Sequence, residues 1–316
     1  MNNQQPPPVL SIVCPMCDEE ESIEALFGKL LPVLTSLDED FEIICVNDGS
    51  KDATLERLLA ARRQEPRIRI LDLSRNFGKE AALTCGLDHA RGQAMIPIDA
   101  DLQDPPELIE EMLKVWRQGF EVVLAQRADR STDSYLKRKT ARWFYRLHNV
   151  ISRPDIMPDV GDFRLIDKKV VDTLKALPER CRFMKGLFAW VGFRQAVIPY
   201  IRETRKIGKS KFSGWRLWNF ALDGITSFST VPLRIWTYVG MVIATVSFFY
   251  GAFIVGKTLL YGRDMPGYAS MITVVLFLGG IQLIGLGVLG EYVGRILNET
   301  KGRPIYIIRD RYDDGD

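Results

Sequence analysis

The chain has 316 residues, enough for one large domain or two smaller ones. Its formal net charge is +2, and this near balance argues against a protein that binds nucleic acid or another polyanion over its whole surface. Five cysteines, two histidines and no second C-x-x-C pair after Cys14 and Cys17 argue against a metal or disulfide framework and favour buried, reduced thiols.

Residues 1–8 are polar and rich in proline, which predicts a flexible tail and no signal peptide. From residue 9 to residue 212, strand-like and helix-like segments alternate. The predicted strands are VLSIVCP, FEIICVN, IRILDLS, QAMIPID and EVVLAQ. The helices predicted between them are ESIEALFGKLLPVLTSL, ATLERLLAARRQ, KEAALTCGLDHA and PPELIEEMLKVWRQG. This alternation predicts an α/β domain with a mostly parallel sheet covered on both faces.

A polar cluster follows each of the first four predicted strands. These clusters are Asp18–Glu20, Asn47–Ser50, Ser74–Asn76 and Asp99–Asp101. The carboxyl ends of parallel strands share one edge of the sheet, and ligands bind at that edge. The sequence therefore predicts one binding site built from these four loops.

The fourth cluster has the donor atoms of a metal site. Asp99 and Asp101 are predicted on the same side of a short extended segment, where two carboxylates suit Mg²⁺ or Mn²⁺, ions that keep few protein ligands and bind substrate phosphates. Gln103 would add a neutral oxygen. Asp104 is expected to cap the next helix together with Glu107 and to have no chemical role. The alternative is a solvated acidic turn, the commoner meaning of an isolated D-x-D.

Two apolar stretches occupy the C-terminal third. Residues 235–256 and 265–290 carry no charge, and each is as long as the roughly 20 residues that a helix needs to cross a bilayer. They predict transmembrane helices at 233–259 and 267–294. The alternative, a pair of buried core helices, would need a larger core than this chain can build.

The charges around these stretches predict their orientation. Seven lysines and arginines lie between residues 202 and 234, and Arg295, Lys301 and Arg303 follow the second stretch. The loop between the stretches has only Lys257 and Arg263. By the positive-inside tendency, the N-terminal domain and both chain ends are predicted on the cytoplasmic side of the inner or plasma membrane.

The segments that flank the apolar stretches have patterns of their own. Residues 213–232, with Trp215 and Trp218 among few charges, predict an amphipathic helix in the headgroup layer. The tail at 295–316 contains RPIYIIRDRY, which alternates like a short strand and could pair with a neighbouring subunit or with its own domain. A homo-oligomer is expected because two-span proteins often associate.

Six ordered motifs resemble those of a known family. Cys14 to Glu20 is similar to the P-x-Y-N-E-E opening of inverting family 2 glycosyltransferases, with Cys17 and Asp18 in place of its Tyr and Asn. VNDGSKD, LSRNFGKEAAL and IDADLQDPPE match the next three signatures. GDFRLID and RKIGKSK narrow the resemblance to polyprenyl-phosphate glycosyltransferases, which include dolichol-phosphate mannose synthases. The two spans look most like the bacterial undecaprenyl-phosphate glucosyltransferases that serve O-antigen glucosylation.

This resemblance implies a fold and a set of site residues. The fold would be a GT-A domain, which is Rossmann-like and has a mostly parallel sheet, followed by a two-helix transmembrane hairpin. The nucleotide of a UDP-sugar would contact Pro15, Glu19, Asp48, Asn76, Lys79 and Asp99, with Asp48 accepting a hydrogen bond from the base. Asp101 and Gln103 would hold Mg²⁺ or Mn²⁺ on the diphosphate. The catalytic residues would be Asp101, Asp162 and Arg205.

The role of Asp162 is left open. It could orient the acceptor, take a residual proton from a phosphate monoanion or bond a sugar hydroxyl, and the family has an active-site aspartate at this motif. The structural alternative is a strand-edge carboxylate that pairs with Arg164.

The acceptor implied by the resemblance is a lipid monophosphate. Its second pKa is near ~6, so it is largely ionised at neutral pH and needs cations around it more than a strong general base. The residues expected around this phosphate are Arg127, Lys137, Arg138, Arg205, Ser210 and Lys211. For the basic stretch SYLKRKTARWFYRLHNVI, the alternative is a solvated helix face.

The expected reaction is inverting transfer of a hexose, with glucose from UDP-glucose as the first expectation, to undecaprenyl or another polyprenyl phosphate. It would take place on the cytoplasmic membrane face. A mannosyltransferase that uses GDP-mannose is one alternative. A processive polysaccharide synthase is another, although no Gln lies three residues before Arg142 to complete a Q-x-x-R-W motif. The third is a non-catalytic membrane scaffold.

Overall fold

A β-sheet forms the centre of the fold. The computed structural model describes residues 8–128, 157, 160–180, 182–200, 230–261 and 267–313, and the eight strands in these ranges lie in one sheet. They are β1 Leu10–Met16, β2 Phe41–Asn47, β3 Ile68–Leu73, β4 Ala94–Pro97, β5 Val122–Arg127, β6 Val160–Asp167, β7 Gln195–Tyr200 and β8 Ile308–Tyr312. Across the sheet the order is β7-β5-β6-β4-β1-β2-β3-β8.

Most of these strands run in the same direction. The pairs β1–β2, β1–β4, β2–β3 and β5–β7 are parallel. β6 runs antiparallel to its neighbours β4 and β5, and β8 runs antiparallel to β3. The predicted α/β domain with a mostly parallel sheet is therefore confirmed. Because β6 is reversed, its first residues lie at the edge where β4 and β5 end.

Helices cover both faces of the sheet. Those described in the domain are α1 Ile23–Ser36, α2 Thr54–Gln64, α3 Lys79–His89, α4 Leu108–Trp116, α5 Lys168–Ala176 and α6 Met184–Trp190. One buried cluster packs α1, α2 and α4 against side chains such as Ile12 and Ile43. A second packs α3, α5 and α6 against the opposite face, including Val13 and Ile44. Burial of both faces explains why β1 to β4 are apolar almost throughout.

The expected cap at the start of α4 is wrong. This helix begins at Leu108, its N-cap residue is Glu107, and no side chain caps it. The buried carboxylate of Asp104 instead accepts a hydrogen bond of 2.7 Å from the hydroxyl of Tyr200 on β7. A turn at residues 106 and 107 precedes the helix, so Glu107 and not Asp104 holds the N-cap position.

Two long helices, α7 Val231–Tyr261 and α8 Tyr268–Thr300, follow the domain. Each contains a stretch long and apolar enough to cross a membrane: Ile235–Ile254, with a mean hydropathy of 1.7, and Phe277–Thr300, with a mean hydropathy of 1.4. Neither stretch is buried in the protein. A core helix of a soluble domain would be buried, so the two helices fit the predicted hairpin.

The C-terminal strand β8 completes the sheet at the β3 edge. Ile70 pairs with Tyr312, and the N–H of Ser74 donates to the carbonyl of Ile307 at 2.9 Å. The sequence pattern left two pairing partners open, a neighbouring subunit or the chain's own domain. In the structure β8 pairs with the chain's own domain.

Candidate active site

Lys79 lies between two carboxylates at the edge of the sheet. It is the first residue of α3, Asp99 follows the end of β4, and Asp162 lies near the start of β6. The Lys79 Nζ donates to Asp99 Oδ2 at 2.8 Å and to Asp162 Oδ2 at 2.6 Å. Because β6 runs in the reverse direction, Asp162 lies at the predicted ligand edge. There it contacts Lys79, which is 83 residues away along the chain.

A second lysine faces the other oxygen of Asp162. Lys185, the second residue of α6, has its Nζ 3.8 Å from Asp162 Oδ1. Its side chain is 23% exposed. Lys185 was not predicted from the sequence, where its one signal is a single charge in the apolar segment FMKGLFAW.

These pairs set the charge states of the site. Burial would raise the pKa of Asp162, but Lys185 and Lys79 outweigh burial and hold this pKa well below its usual range. Burial would lower the pKa of Lys79, and Asp162 and Asp99 together raise it instead. Burial and the nearby Asp162 raise the pKa of Glu80 to about 7. At neutral pH, Asp162 is therefore a carboxylate and Lys79 an ammonium ion.

The expected alternative for Asp162, a strand-edge carboxylate paired with Arg164, is wrong. β6 lies inside the sheet, and the ion pairs of Asp162 within 4 Å are with the two lysines, while Arg164 adds a weaker attraction that helps to lower the pKa of Asp162. Arg164 donates to the carbonyl of Gly161 at 2.6 Å, and its guanidinium lies 4.5 Å from the ring centroid of Phe188.

Asp48 organises the loop beside this cluster. It follows β2 and is 3% exposed. Its Oδ1 accepts the N–H of Phe77 at 2.7 Å, and its Oδ2 accepts the N–H of Gly78 at 2.9 Å. Asp48 therefore fixes the backbone that carries Asn76 and begins α3. The hydrogen bond expected between Asp48 and a base stays a prediction.

The loop after β1 borders the same surface. The Nδ2 of Asn76 donates to the Sγ of Cys17 at 3.0 Å. The N–H of Glu19 donates to Thr54 Oγ1 at 2.9 Å, and Glu19 Oε2 accepts from Ser22 Oγ at 2.8 Å. Pro15, in β1, and Glu19 are both partly exposed. The predicted clusters after β1, β2, β3 and β4 thus meet at one edge.

The acidic loop after β4 is a turn and not the short extended segment that was predicted. The chain turns at Ala100 and Asp101, Leu102 has a φ of 56°, and Asp101 Oδ1 accepts the N–H of Gln103 at 3.2 Å. The described residues contain no group of three or more His, Cys, Asp or Glu that could hold a metal ion. Asp101 and Gln103, both partly exposed, offer hard oxygens to an ion that takes its other ligands from phosphates and water, so their chemistry fits Mg²⁺ or Mn²⁺.

The predicted acceptor residues are described only in part. Arg127 ends β5, and its guanidinium lies beside the backbone of Gly161, the neighbour of Asp162. The predicted site residues that lie outside the described residues are Lys137, Arg138, Arg205, Ser210 and Lys211. Most of the predicted interfacial helix at 213–232 lies outside them as well.

Two family descriptions match this chain, and its relatives match it over almost its full length. Residues 11–175 match Glycosyl transferase family 2, and residues 231–296 match the GtrB C-terminal hairpin. The chain is 54% identical to an uncharacterized glycosyltransferase of Synechocystis sp. over 95% of each chain. It is 53% identical to a bactoprenol glucosyl transferase of Shigella phage SfX, covering 96% of this chain and 99% of that one. A prophage bactoprenol glucosyl transferase homolog of Escherichia coli is 52% identical over 95% of this chain and 98% of its own.

Proposed function

The chain belongs to glycosyl transferase family 2, with the GT-A type of sheet, and we propose that this glycosyltransferase transfers glucose from UDP-glucose to a polyprenyl phosphate. The observation that carries the proposal is the identity of 53% over 96% of the chain to a bactoprenol glucosyl transferase. Undecaprenyl phosphate is the acceptor that we expect.

The donor would occupy the edge formed by the loops after β1 to β4. The nucleotide would lie against Pro15, Glu19, Asp48, Asn76, Lys79 and Asp99. Lys79 donates to two carboxylates, and its ammonium group has a third N–H that can reach a phosphate oxygen. Its side chain is 43% exposed, so a bound diphosphate has access to it.

Asp101, together with Gln103, would hold Mg²⁺ or Mn²⁺ on the diphosphate. When bound, such an ion stabilises the negative charge that develops on the leaving group. Asp99 is the weaker candidate ligand of the two rim carboxylates because its Oδ2 already accepts from Lys79.

The transfer itself needs no strong base. A phosphate oxygen of the lipid attacks C1 of the sugar, the bond from C1 to the diphosphate breaks, and UDP leaves with the electron pair, which inverts the anomeric configuration. A lipid phosphate is already ionised at neutral pH. A carboxylate with a lowered pKa is a weak proton acceptor, so Asp162 is better suited to bind a sugar hydroxyl or to orient the acceptor than to remove a proton.

The acceptor phosphate needs cations on the membrane side of this edge. Arg127 lies next to Gly161, and Lys137, Arg138, Arg205, Ser210 and Lys211 are proposed from the sequence. We place the hairpin in the inner or plasma membrane as two spans with the domain on the cytoplasmic face, and we expect a homo-oligomer. The proposed helix at 213–232 would then lie at the headgroup level, where the lipid phosphate is.

A transfer assay with the purified full chain tests this function. Labelled UDP-glucose or GDP-mannose is incubated with undecaprenyl phosphate and Mg²⁺, and the organic extract is counted. The proposal predicts extractable label from UDP-glucose and little from GDP-mannose. Label from GDP-mannose would overturn the donor, an insoluble polymer would indicate a processive synthase, and no transfer from either donor would overturn the proposed reaction.

A further inference from the structure

Asp162 is held by cations from two different helices. Lys79 of α3 donates to Oδ2 at 2.6 Å, and Lys185 of α6 lies 3.8 Å from Oδ1. The first contact is a hydrogen bond, and the second is a longer ion pair. Each oxygen of the carboxylate therefore has its own cation, which limits rotation of the carboxylate about its χ2 bond.

Lys185 stands in an apolar helix. In α6, Met184, Gly186, Leu187 and Phe188 are buried, and Lys185 is the sole charged residue. An ammonium ion in such surroundings loses hydration, and a partly buried ion pair recovers little net stability from the loss. The main physical effect of Lys185 is therefore on the charge and position of its partner.

Glu80 fixes the start of α6 against α3. Its Oε2 accepts the N–H of Met184 at 3.1 Å, and Thr84 Oγ1 lies 3.9 Å from the Sδ of Met184. On α3, Lys79 contacts Asp162 and the next residue, Glu80, contacts Met184. On α6, Met184 contacts Glu80 and the next residue, Lys185, contacts Asp162. This reciprocal arrangement fixes where the Lys185 ammonium lies.

We propose that Lys185 is a positioning residue for glucosyl transfer, which holds Asp162 in place from the side opposite Lys79 and balances the charge of the cluster. This inference rests on the proposed function. The formal charges of Asp99, Asp162, Lys79 and Lys185 sum to zero, and the neighbouring Arg164 and Glu80 also act on Asp162 or on its lysines. Without Lys185 the charge beside the diphosphate and the lipid phosphate is one unit more negative, and Lys79 is the remaining lysine on Asp162.

The test compares Lys185→Met, Lys185→Arg and a matched control, Lys169→Met, in the full chain. Lys169 is an exposed lysine at the start of α5, which follows the opposite end of β6. We expect Lys185→Met to lower kcat about 10- to 100-fold. Lys185→Arg should restore kcat to within about threefold of the wild type because it returns the positive charge. Lys169→Met should match the wild type.

A double-mutant cycle with Asp162→Asn separates positioning from simple stabilisation. If Lys185 acts through Asp162, adding Lys185→Met to Asp162→Asn lowers kcat little further, because coupled residues are not additive. The proposal is overturned by wild-type kcat in Lys185→Met, by an Arg variant no better than the Met variant, or by fully additive losses. These outcomes require an active wild type, whereas an inactive wild type would count against the proposed function itself.

Discussion

The contacts of Lys79 distinguish the acidic residues of the site from one another. Its ammonium ion bonds Asp99 and Asp162 at 2.8 and 2.6 Å, so both carboxylates already share a cation within the protein. Asp101 lies beyond this pair, at the turn after Asp99, where its carboxylate can meet a cation brought by the diphosphate. We therefore propose metal binding for Asp101 and acceptor orientation for Asp162.

Asp101→Asn should therefore change the metal requirement of the enzyme. Loss of an anionic oxygen weakens the ion's attachment, and we expect the Mn²⁺ concentration for half-maximal transfer to rise by about tenfold or more. The measurement is a Mn²⁺ titration of transfer after treatment with a chelator. Asp172→Asn, an exposed aspartate on α5, is the matched control. An unchanged titration curve, or full activity in the chelator, would contradict the assignment.

Gly49 keeps two loops of the donor edge in contact. Its φ is +62°, and a Cβ there would overlap backbone atoms of Arg75 and Asn76. Gly49→Ala should force the loops apart, lower stability by about 2 kcal/mol or more and raise the KM for UDP-glucose. Gly28→Ala is the control, since its Cβ would have open space within α1 and helix propensity improves. A melting temperature and a KM for UDP-glucose equal to those of the wild type in Gly49→Ala would contradict this role of Gly49.

At the scale of elements, the inner strands are joined by a buried carboxylate. Glu42 of β2 accepts from Ser11 Oγ at 2.6 Å, from Arg69 Nη1 at 2.7 Å and from the N–H of Arg91 at 2.7 Å. Its side chain is 4% exposed. Glu42 therefore connects β1, β2 and β3, and Arg69 extends the network to Asp313 beyond β8.

Glu42→Gln should destabilise the domain by about 2 kcal/mol because it removes one of the two carboxylates that pair with the buried Arg69, Asp313 being the other. Burial would raise the pKa of Glu42, but bonds from Ser11, the Arg91 N–H and Arg69 outweigh it and lower this pKa below the ordinary 4.5. The stabilisation is therefore complete above about pH 4.5 and is lost as the pH falls through the lowered pKa.

Thermal melting against pH measures both effects of this substitution. The wild type should lose stability below about pH 4.5, and Glu42→Gln should start lower and fall less over that range. Glu56→Gln, an exposed site on α2, is the control and should follow the wild type. A variant with the wild-type melting profile would contradict the role of Glu42.

The strands and helices with a clear hydrophobic pattern within their own segment could be predicted from the sequence. The apolar runs of β1 to β4 and the polar clusters after them were enough to predict that these clusters meet at one edge of the sheet. The approach of Asp162 to Lys79 could not be predicted in the same way, because it depends on the reversed direction of β6 across the sheet. The short helix α6, with Lys185, lacks the length that makes a helical pattern clear.

At the scale of the whole molecule, the chain returns from the hairpin to the domain. The N–H of Arg180 donates to the Glu299 carboxylate at the end of α8 at 3.0 Å, and the side chain of Arg180 donates to the carbonyl of Arg303 at 2.6 Å. After this, β8 adds to the sheet beside β3, where Arg309 bonds the buried Asp72. These contacts hold the domain near one end of α8.

We propose that the charged edge of the sheet carries out sugar transfer onto a polyprenyl phosphate. Transfer by Asp162→Asn in the full chain tests that connection most directly, with glucosyl-lipid formation and the UDP-glucose-induced rise in Tm measured on the same sample. We predict a rise in Tm close to that of the wild type and a loss of transfer of about 100-fold or more, because the donor edge stays intact while the orienting carboxylate is gone. Transfer at the wild-type rate by Asp162→Asn would contradict the role of this carboxylate in transfer.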